Sequence, residues 1–269
     1  VFWFIAPKVW ASKEWRGKKL KAYVNELFTI FPFETDFFAK RGIDVHYVGN
    51  PLVETVLDAG KNFRTRERFI SDNRLDNRPI AALLPGSRRQ EVKYMLPVMK
   101  RFAADFSDFQ FVVAGSEALE QSFYDEILTE SDGKTLPLLF GQTCETVHHA
   151  HAALVTSGTA TLETAMLDTP QAVLYKMMGG WLGYKVVSAL FLKVKYVSLP
   201  NLILDNEAVK EFIMHEMKYE RIKPVFEKLL YDDEYRQKMK NEYRRINNLL
   251  GEPGAASRAA KIMVSLLSK

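Results

Sequence analysis

The sequence predicts an α/β protein whose mostly parallel sheet is covered by helices, arranged as one complete doubly wound lobe preceded by the tail of another. Three observations carry that expectation. Short apolar runs alternate with helix-length segments along the chain, the pattern of βαβ units rather than of hairpins. Two strand-to-helix junctions, Leu84 to Arg88 and Thr156 to Thr159, are built from glycine, hydroxyl and basic residues. A polar, charge-rich stretch over 52–79 separates the first strands from the later ones and reads as a passage between lobes. With 269 residues, the chain also exceeds the usual size of a single hydrophobic core.

The elements follow in order. Residues 2–5 read as a strand, and a Pro-containing loop leads to a basic helix at 13–25. A strand at 27–31 is followed by Pro32-Phe33-Glu34 and a helix ending at Gly42. Val45 to Val48 is a strand that runs into the turn signal Gly49-Asn50-Pro51. Ile80 to Leu84 opens the second lobe, with a tight loop and a helix from Gln90 to Phe106. Strands at 109–114, 136–140, 152–156 and 171–175 alternate with helices at 117–128, 143–150 and 159–167. An apolar, aromatic helix over 179–192, a strand near Tyr196, the loop Ser198-Leu199-Pro200-Asn201 and several helices complete the chain. We place the lobes at 1–55 and 56–230, with helices over 231–269 packing back toward the first lobe.

Composition narrows the function classes. A hydrophobic share of 47% with 26% charged residues is that of a folded globular protein, not a disordered one. The net charge of +4 is too small and too dispersed to indicate nucleic acid. A single cysteine, Cys144, excludes an internal disulfide framework. No apolar run is long enough to cross a bilayer. The chain opens on Val1-Phe2-Trp3-Phe4-Ile5, without an initiator Met or a signal-peptide pattern, and this run reads as a buried strand. We therefore expect a chain that begins within a core strand, with most of the N-terminal lobe lying upstream.

The two junctions carry the chemistry. At Leu84-Pro85-Gly86-Ser87-Arg88, backbone N–H groups and the helix dipole favour an anion, Gly86 permits close approach, and Arg88 supplies a fork for phosphate oxygens. An N-cap followed by a solvated arginine explains the same residues. Ser157-Gly158-Thr159-Ala160-Thr161-Leu162-Glu163 repeats the geometry, with Glu163 placed one turn in to accept from ribose hydroxyls. A capping box is the alternative there. Two such junctions in one lobe favour a nucleotide. Asn201 puts a side-chain amide in a loop after a strand, where a turn-forming role is the commoner explanation. His148, His149 and His151 match no zinc spacing, and we expect helix-end histidines, with neither metal nor cofactor. Two aromatic and basic stretches, Trp15 to Tyr23 and 177–196, suit either a lipid interface or core packing with a lysine rim.

Ala6-Pro7-Lys8-Val9-Trp10-Ala11, Phe31-Pro32-Phe33-Glu34 and Val48-Gly49-Asn50-Pro51 then occur in order with Leu84-Pro85-Gly86-Ser87-Arg88, Glu91-Val92, the Ser157 to Glu163 run and Tyr196 to Leu202. This ordered set resembles the lipid-A-disaccharide synthases over nearly the whole chain. The resemblance implies a GT-B glycosyltransferase with two Rossmann-like lobes of parallel sheet flanked by helices, the N-terminal one largely absent. It implies transfer of 2,3-diacylglucosamine from its UDP derivative to 2,3-diacylglucosamine 1-phosphate, giving the β-1,6-linked disaccharide 1-phosphate and UDP. Gly86, Ser87, Arg88, Ser157, Gly158, Thr159, Thr161, Glu163 and Asn201 would line the UDP-sugar site. The general base would lie upstream of Val1, so this chain alone is expected to be inactive.

Acylated substrates also tip the 177–196 stretch toward lipid contact, through Trp181, Leu182, Leu190 and Phe191, on the cytoplasmic face of a bacterial inner membrane. The C-terminal helices could be exchanged within a homodimer. The rivals are a UDP-N-acetylglucosamine 2-epimerase-like enzyme, with a water-soluble substrate, and a non-catalytic nucleotide-binding module.

Overall fold

The computed structural model describes residues 1–10, 16–129, 135–176 and 195–268. Two parallel sheets organise them. The first has three strands, β1 (Phe2–Phe4), β2 (Glu26–Thr29) and β3 (Val45–Tyr47), in that order. The second has six, β4 (Ile80–Leu84), β5 (Gln110–Gly115), β6 (Leu138–Phe140), β7 (Ala150–Thr156), β8 (Gln171–Tyr175) and β9 (Lys210–Ile213), in the order β6-β5-β4-β7-β8-β9. Every neighbouring pair is parallel. Strand order therefore reverses between β4 and β7, the switch point of a doubly wound sheet.

The central strands are buried on both faces, as a sheet covered on both sides requires. Alternation decides which side chain meets which layer. Leu83, Val113 and Leu154 join the main core with Met95, Phe226 and Tyr243 from the helices Arg89–Lys100, Tyr219–Tyr231 and Asp233–Leu250. Their neighbours Ala82, Ala114 and Val155 face the other way, onto Val147 of the Thr143–His149 helix. The first sheet builds a small core of its own from Leu20, Leu27, Phe38 and Ile43.

The C-terminal helix Ala255–Leu267 returns to that first sheet. Ala259 packs on Phe28 and Val48, and the Tyr47 hydroxyl donates to the carbonyl of Leu249 at 3.0 Å. Arg258 reaches the carbonyls of Val48, Pro253 and Glu252 at 2.8, 2.7 and 2.8 Å. Gly49 makes this possible: its φ is +83°, and a Cβ there would stand 2.5 Å from the Arg258 guanidinium. At the other boundary, the helix Pro51–Gly60 runs straight through residue 55 and packs on helices of the second lobe, Thr143–His149 and Thr159–Met166.

Several expectations change. β1 forms, but Trp3 and Phe4 are exposed, at 43% and 39%, because among the described residues β1 pairs only with β2. The helix expected from Gln90 to Phe106 is two, Arg89–Lys100 and Phe102–Asp105. Among the described residues no strand forms near Tyr196. The chain there enters the helix Leu199–Leu204, with Pro200 in its first turn, and the sixth strand is β9, which the sequence reading missed. The helix expected over 179–192, with Trp181, Leu182, Leu190 and Phe191, lies outside the described residues.

Candidate functional site: a cleft at the switch point

The loops leaving the C-terminal ends of β4, β5, β6 and β7 enclose a cleft of about 600 Å³. Gly86, Ser87, Arg88 and Glu91 form one wall and Thr156 to Ala160 with Glu163 another; Ser116, Glu117, Gly141 and Thr143 close the side. Lys8, from the loop after β1, completes the lining from the first lobe. A crevice of this kind, outside the strand ends where the order reverses, is where open α/β sheets bind ligands.

The β4 loop is folded around a carboxylate. Glu91 Oε2 accepts from the N–H groups of Ser87 and Arg88, at 3.1 and 3.3 Å, and Oε1 accepts from Arg88 Nη1 at 3.1 Å. The loop needs Gly86 for two reasons. Its φ is +105°, and a Cβ would meet Glu91 at 2.5 Å. Two N–H groups that the sequence reading left for phosphate are thus already paired, while the Arg88 side chain stays 82% exposed.

The β7 loop is different. Gly158 is extended, with φ 168°, and a Cβ added to it would meet nothing within 4 Å. Neither backbone strain nor packing requires glycine here, so its small size serves the open cleft. Gly158 and Thr159 are exposed at the start of the helix Thr159–Met166, where unpaired N–H groups and the dipole favour an anion. Glu163 lines the same cleft half-buried, and among the described residues its carboxylate has no hydrogen-bond partner. Burial raises its pKa. Thr156, at the end of β7, carries a buried hydroxyl with no partner among the described residues.

Two expected ligand contacts are corrected. Thr161 is buried and does not line the cleft; its hydroxyl donates to the Gly158 carbonyl at 2.8 Å and so fixes the loop from beneath. Asn201 is fully buried and fully paired. Its amide nitrogen donates to Val209 O and Glu211 Oε1 at 2.9 and 2.8 Å, and its oxygen accepts from the N–H groups of Ala208 and Val209. It is not a turn residue either: it lies inside the helix Leu199–Leu204 and ties that helix to residues 208–211.

Glu211, which sequence reasoning missed, is the hub of that region. Its buried carboxylate also accepts from the N–H groups of Val197 and Ser198 and from the Ser198 hydroxyl. The network reaches the cleft because Ser157 Oγ donates to the Val197 carbonyl at 3.0 Å. The first lobe has an analogous post. Glu34 is buried at 1% exposure and accepts from Trp10 Nε1 and from the N–H groups of Ile30 and Phe31, at 3.0, 3.1 and 3.0 Å. Burial raises its pKa against the pull of those hydrogen bonds and of Lys8. It anchors the loop that carries Lys8.

His148 and His149 end the helix Thr143–His149 as expected, whereas His151 lies in β7. His149 and His151 contact the carbonyls of Arg64 and Leu230 at 3.1 and 3.0 Å, and His148 stacks on Phe63. Lys8, Glu91, Ser116, Glu117 and Thr156 were not foreseen as lining residues; the signal available was their position immediately after an apolar strand or beside a recognised loop.

A parallel sheet reversing between β4 and β7, with two anion-type loops at the reversal and a second parallel sheet beside it, is the architecture of the GT-B class of folds. Solved structures agree at the level of fold. S. aureus MnaA, in a co-structure with UDP, matches with TM-score 0.64 and 12% identity over 93% of this chain and 63% of its own. A UDP-GlcNAc 2-epimerase from Neisseria meningitidis bound to UDP-GlcNAc matches with TM-score 0.57 and 17% identity, over 90% and 61%. The calicheamicin glycosyltransferase CalG4 gives 0.52 at 15% identity, over 94% and 57%.

Sequence comparison selects within that class. The lipid-A-disaccharide synthetase family profile matches residues 1–264, and the chain belongs to that family. It is 32% identical to the lipid-A-disaccharide synthase of Syntrophus aciditrophicus over 100% of this chain and 70% of that protein, and 35% identical to that of Myxococcus xanthus over 99% and 69%. The family is one of lipid A glycosyltransferases, and the epimerase reading is not favoured.

Proposed function

We propose that the switch-point cleft holds the UDP part of an acylated sugar nucleotide, the 2,3-diacylglucosamine donor, for transfer to 2,3-diacylglucosamine 1-phosphate. The observation that carries this reading is the pair of loops at the reversal of strand order, one presenting the exposed Arg88 guanidinium and the other the free start of the Thr159–Met166 helix. A diphosphate between them would meet a cation on one side and a helix N-terminus on the other. Both stabilise the charge that develops on UDP as the glycosidic bond breaks. Glu163 lies one turn into the helix, where its carboxylate can accept from ribose hydroxyls.

Diacylated substrates place this chemistry at a bilayer surface, so peripheral membrane contact belongs to the same proposal. The helix Arg16–Tyr23 supports it: Lys18, Lys19 and Lys21 are exposed and Leu20 is buried beneath them, a basic face suited to anionic lipid. Among the described residues no helix is long and apolar enough to cross a membrane. A homodimer through the C-terminal helices remains part of the proposal.

The test is UDP calorimetry on the purified chain and on Arg88→Ala. Saturable binding, weakened about tenfold or more by loss of a charged phosphate contact, is the expected result. Equal affinity in the two proteins would remove Arg88 from the site.

A further inference from the structure

Resting on that reading of the cleft, we propose that Glu91 is a built-in competitor for the donor diphosphate. Its carboxylate holds the same three donors that the β4 loop has for an anion: the N–H groups of Ser87 and Arg88 and the Arg88 guanidinium. The loop is shaped to that carboxylate, as the position of Gly86 against it shows. Glu91 is nevertheless no remote scaffold, since it lines the cleft and is 28% exposed.

The charges around it sharpen the point. Among the described residues lining the cleft, Lys8 and Arg88 are the cations, set against Glu91, Glu117 and Glu163. A site for a diphosphate gains nothing from an extra carboxylate next to its arginine unless that carboxylate has a task. A plain helix cap needs only an oxygen facing the N–H groups, which glutamine also supplies. What a carboxylate adds is a negative charge on Arg88 and repulsion toward phosphate. Arg88 is therefore shared: it turns from Glu91 to the diphosphate when nucleotide binds, and Glu91 reclaims it as UDP leaves. Glu91 is a positioning residue in this scheme, acting through Arg88.

The sign of one substitution separates this role from capping. Glu91→Gln keeps an acceptor for the loop N–H groups, removes the charge and frees Arg88. Calorimetry with UDP on the whole chain should then show affinity about five- to tenfold tighter than the parent, the gap closing as salt rises. Equal or weaker binding by a variant with unchanged melting temperature overturns the proposal. Should the glutamine variant melt early, Glu91→Asp gives the second reading. It retains the charge but is one methylene too short to span loop and guanidinium together, so it should also bind tighter. Unchanged or weaker binding by it has the same adverse meaning. Gly158→Val is the site control. If the parent binds UDP and this variant does not, the cleft reading stands whatever Glu91 does; if the parent fails to bind, the cleft reading falls and the competitor falls with it.

Discussion

Replacing Glu211 tests whether the second lobe holds its cleft through a single buried acid. Glu211→Ala takes away the acceptor of the Val197 and Ser198 N–H groups, of the Ser198 hydroxyl, and of one Asn201 amide bond. Not all of these are stranded. Asn201 keeps the Val209 carbonyl at 2.9 Å, and half-buried Val197 can turn to water. Ser198 is completely buried, so its N–H and hydroxyl have no such recourse. Two stranded buried groups at about 1–3 kcal/mol each, with a small cavity besides, give a loss of roughly 3–5 kcal/mol. Glu211→Gln retains one acceptor oxygen but turns an amide toward the donors, and should lose about half as much. Urea unfolding followed by circular dichroism measures both. Because Val197 O receives Ser157 Oγ, UDP affinity should also fall, by about tenfold in the alanine variant. If the alanine variant stays within about 1 kcal/mol of the parent and binds UDP equally well, the hub argument fails.

Three further outcomes are expected. Gly158→Ala should leave the unfolding midpoint unchanged, since its Cβ meets nothing within 4 Å, yet weaken UDP binding. Gly86→Ala, with φ +105° and a contact at 2.5 Å, should lose stability as well; the two are compared by urea melts and calorimetry side by side. Glu163 has a pKa raised by burial, so affinity for UDP-N-acetylglucosamine, whose phosphates do not titrate near neutrality, should fall as pH drops through that raised value, and Glu163→Gln should flatten the profile. The folding sign runs the other way: a raised folded pKa gives stability that is full below the ordinary carboxylate value and lost as pH rises through the raised one, visible as urea midpoints of parent and Glu163→Gln whose difference changes as pH rises through that window and is constant above it. Arg258→Ala should cost about 2–3 kcal/mol by removing three charge-assisted bonds, and Arg258→Lys should recover only part of it, because an ammonium cannot span three carbonyls as a guanidinium does.

What the sequence revealed, and what it withheld, follows from the range of each signal. The βαβ alternation and the loops after β4 and β7 were legible because a strand end, a glycine and a helix start are neighbours along the chain. The rest of the cleft comes from separate loops, so Lys8, Glu117 and Thr156 become lining residues only once the sheet order is known. β9 escaped notice because Lys210-Glu211-Phe212-Ile213 is a short edge strand carrying two charges, and with it went Glu211. Without Glu211, Asn201 looked like a free amide in a loop; with it, Asn201 is one spoke of a buried hub. Gly86 and Gly158 show the limit most clearly. They have the same residue type and the same place after a strand, but opposite reasons. Gly86 is held by its φ and by Glu91, and would be required by the fold even if nothing ever bound there. Gly158 is under no such demand, since its backbone suits any residue and its Cβ would stand in open space at the cleft wall. A glycine that the fold does not need, at a helix start beside an exposed arginine, is better evidence for a ligand than one that the fold requires. By that criterion we propose the β7 loop, rather than the β4 loop with its own carboxylate in place, as the principal seat of the diphosphate.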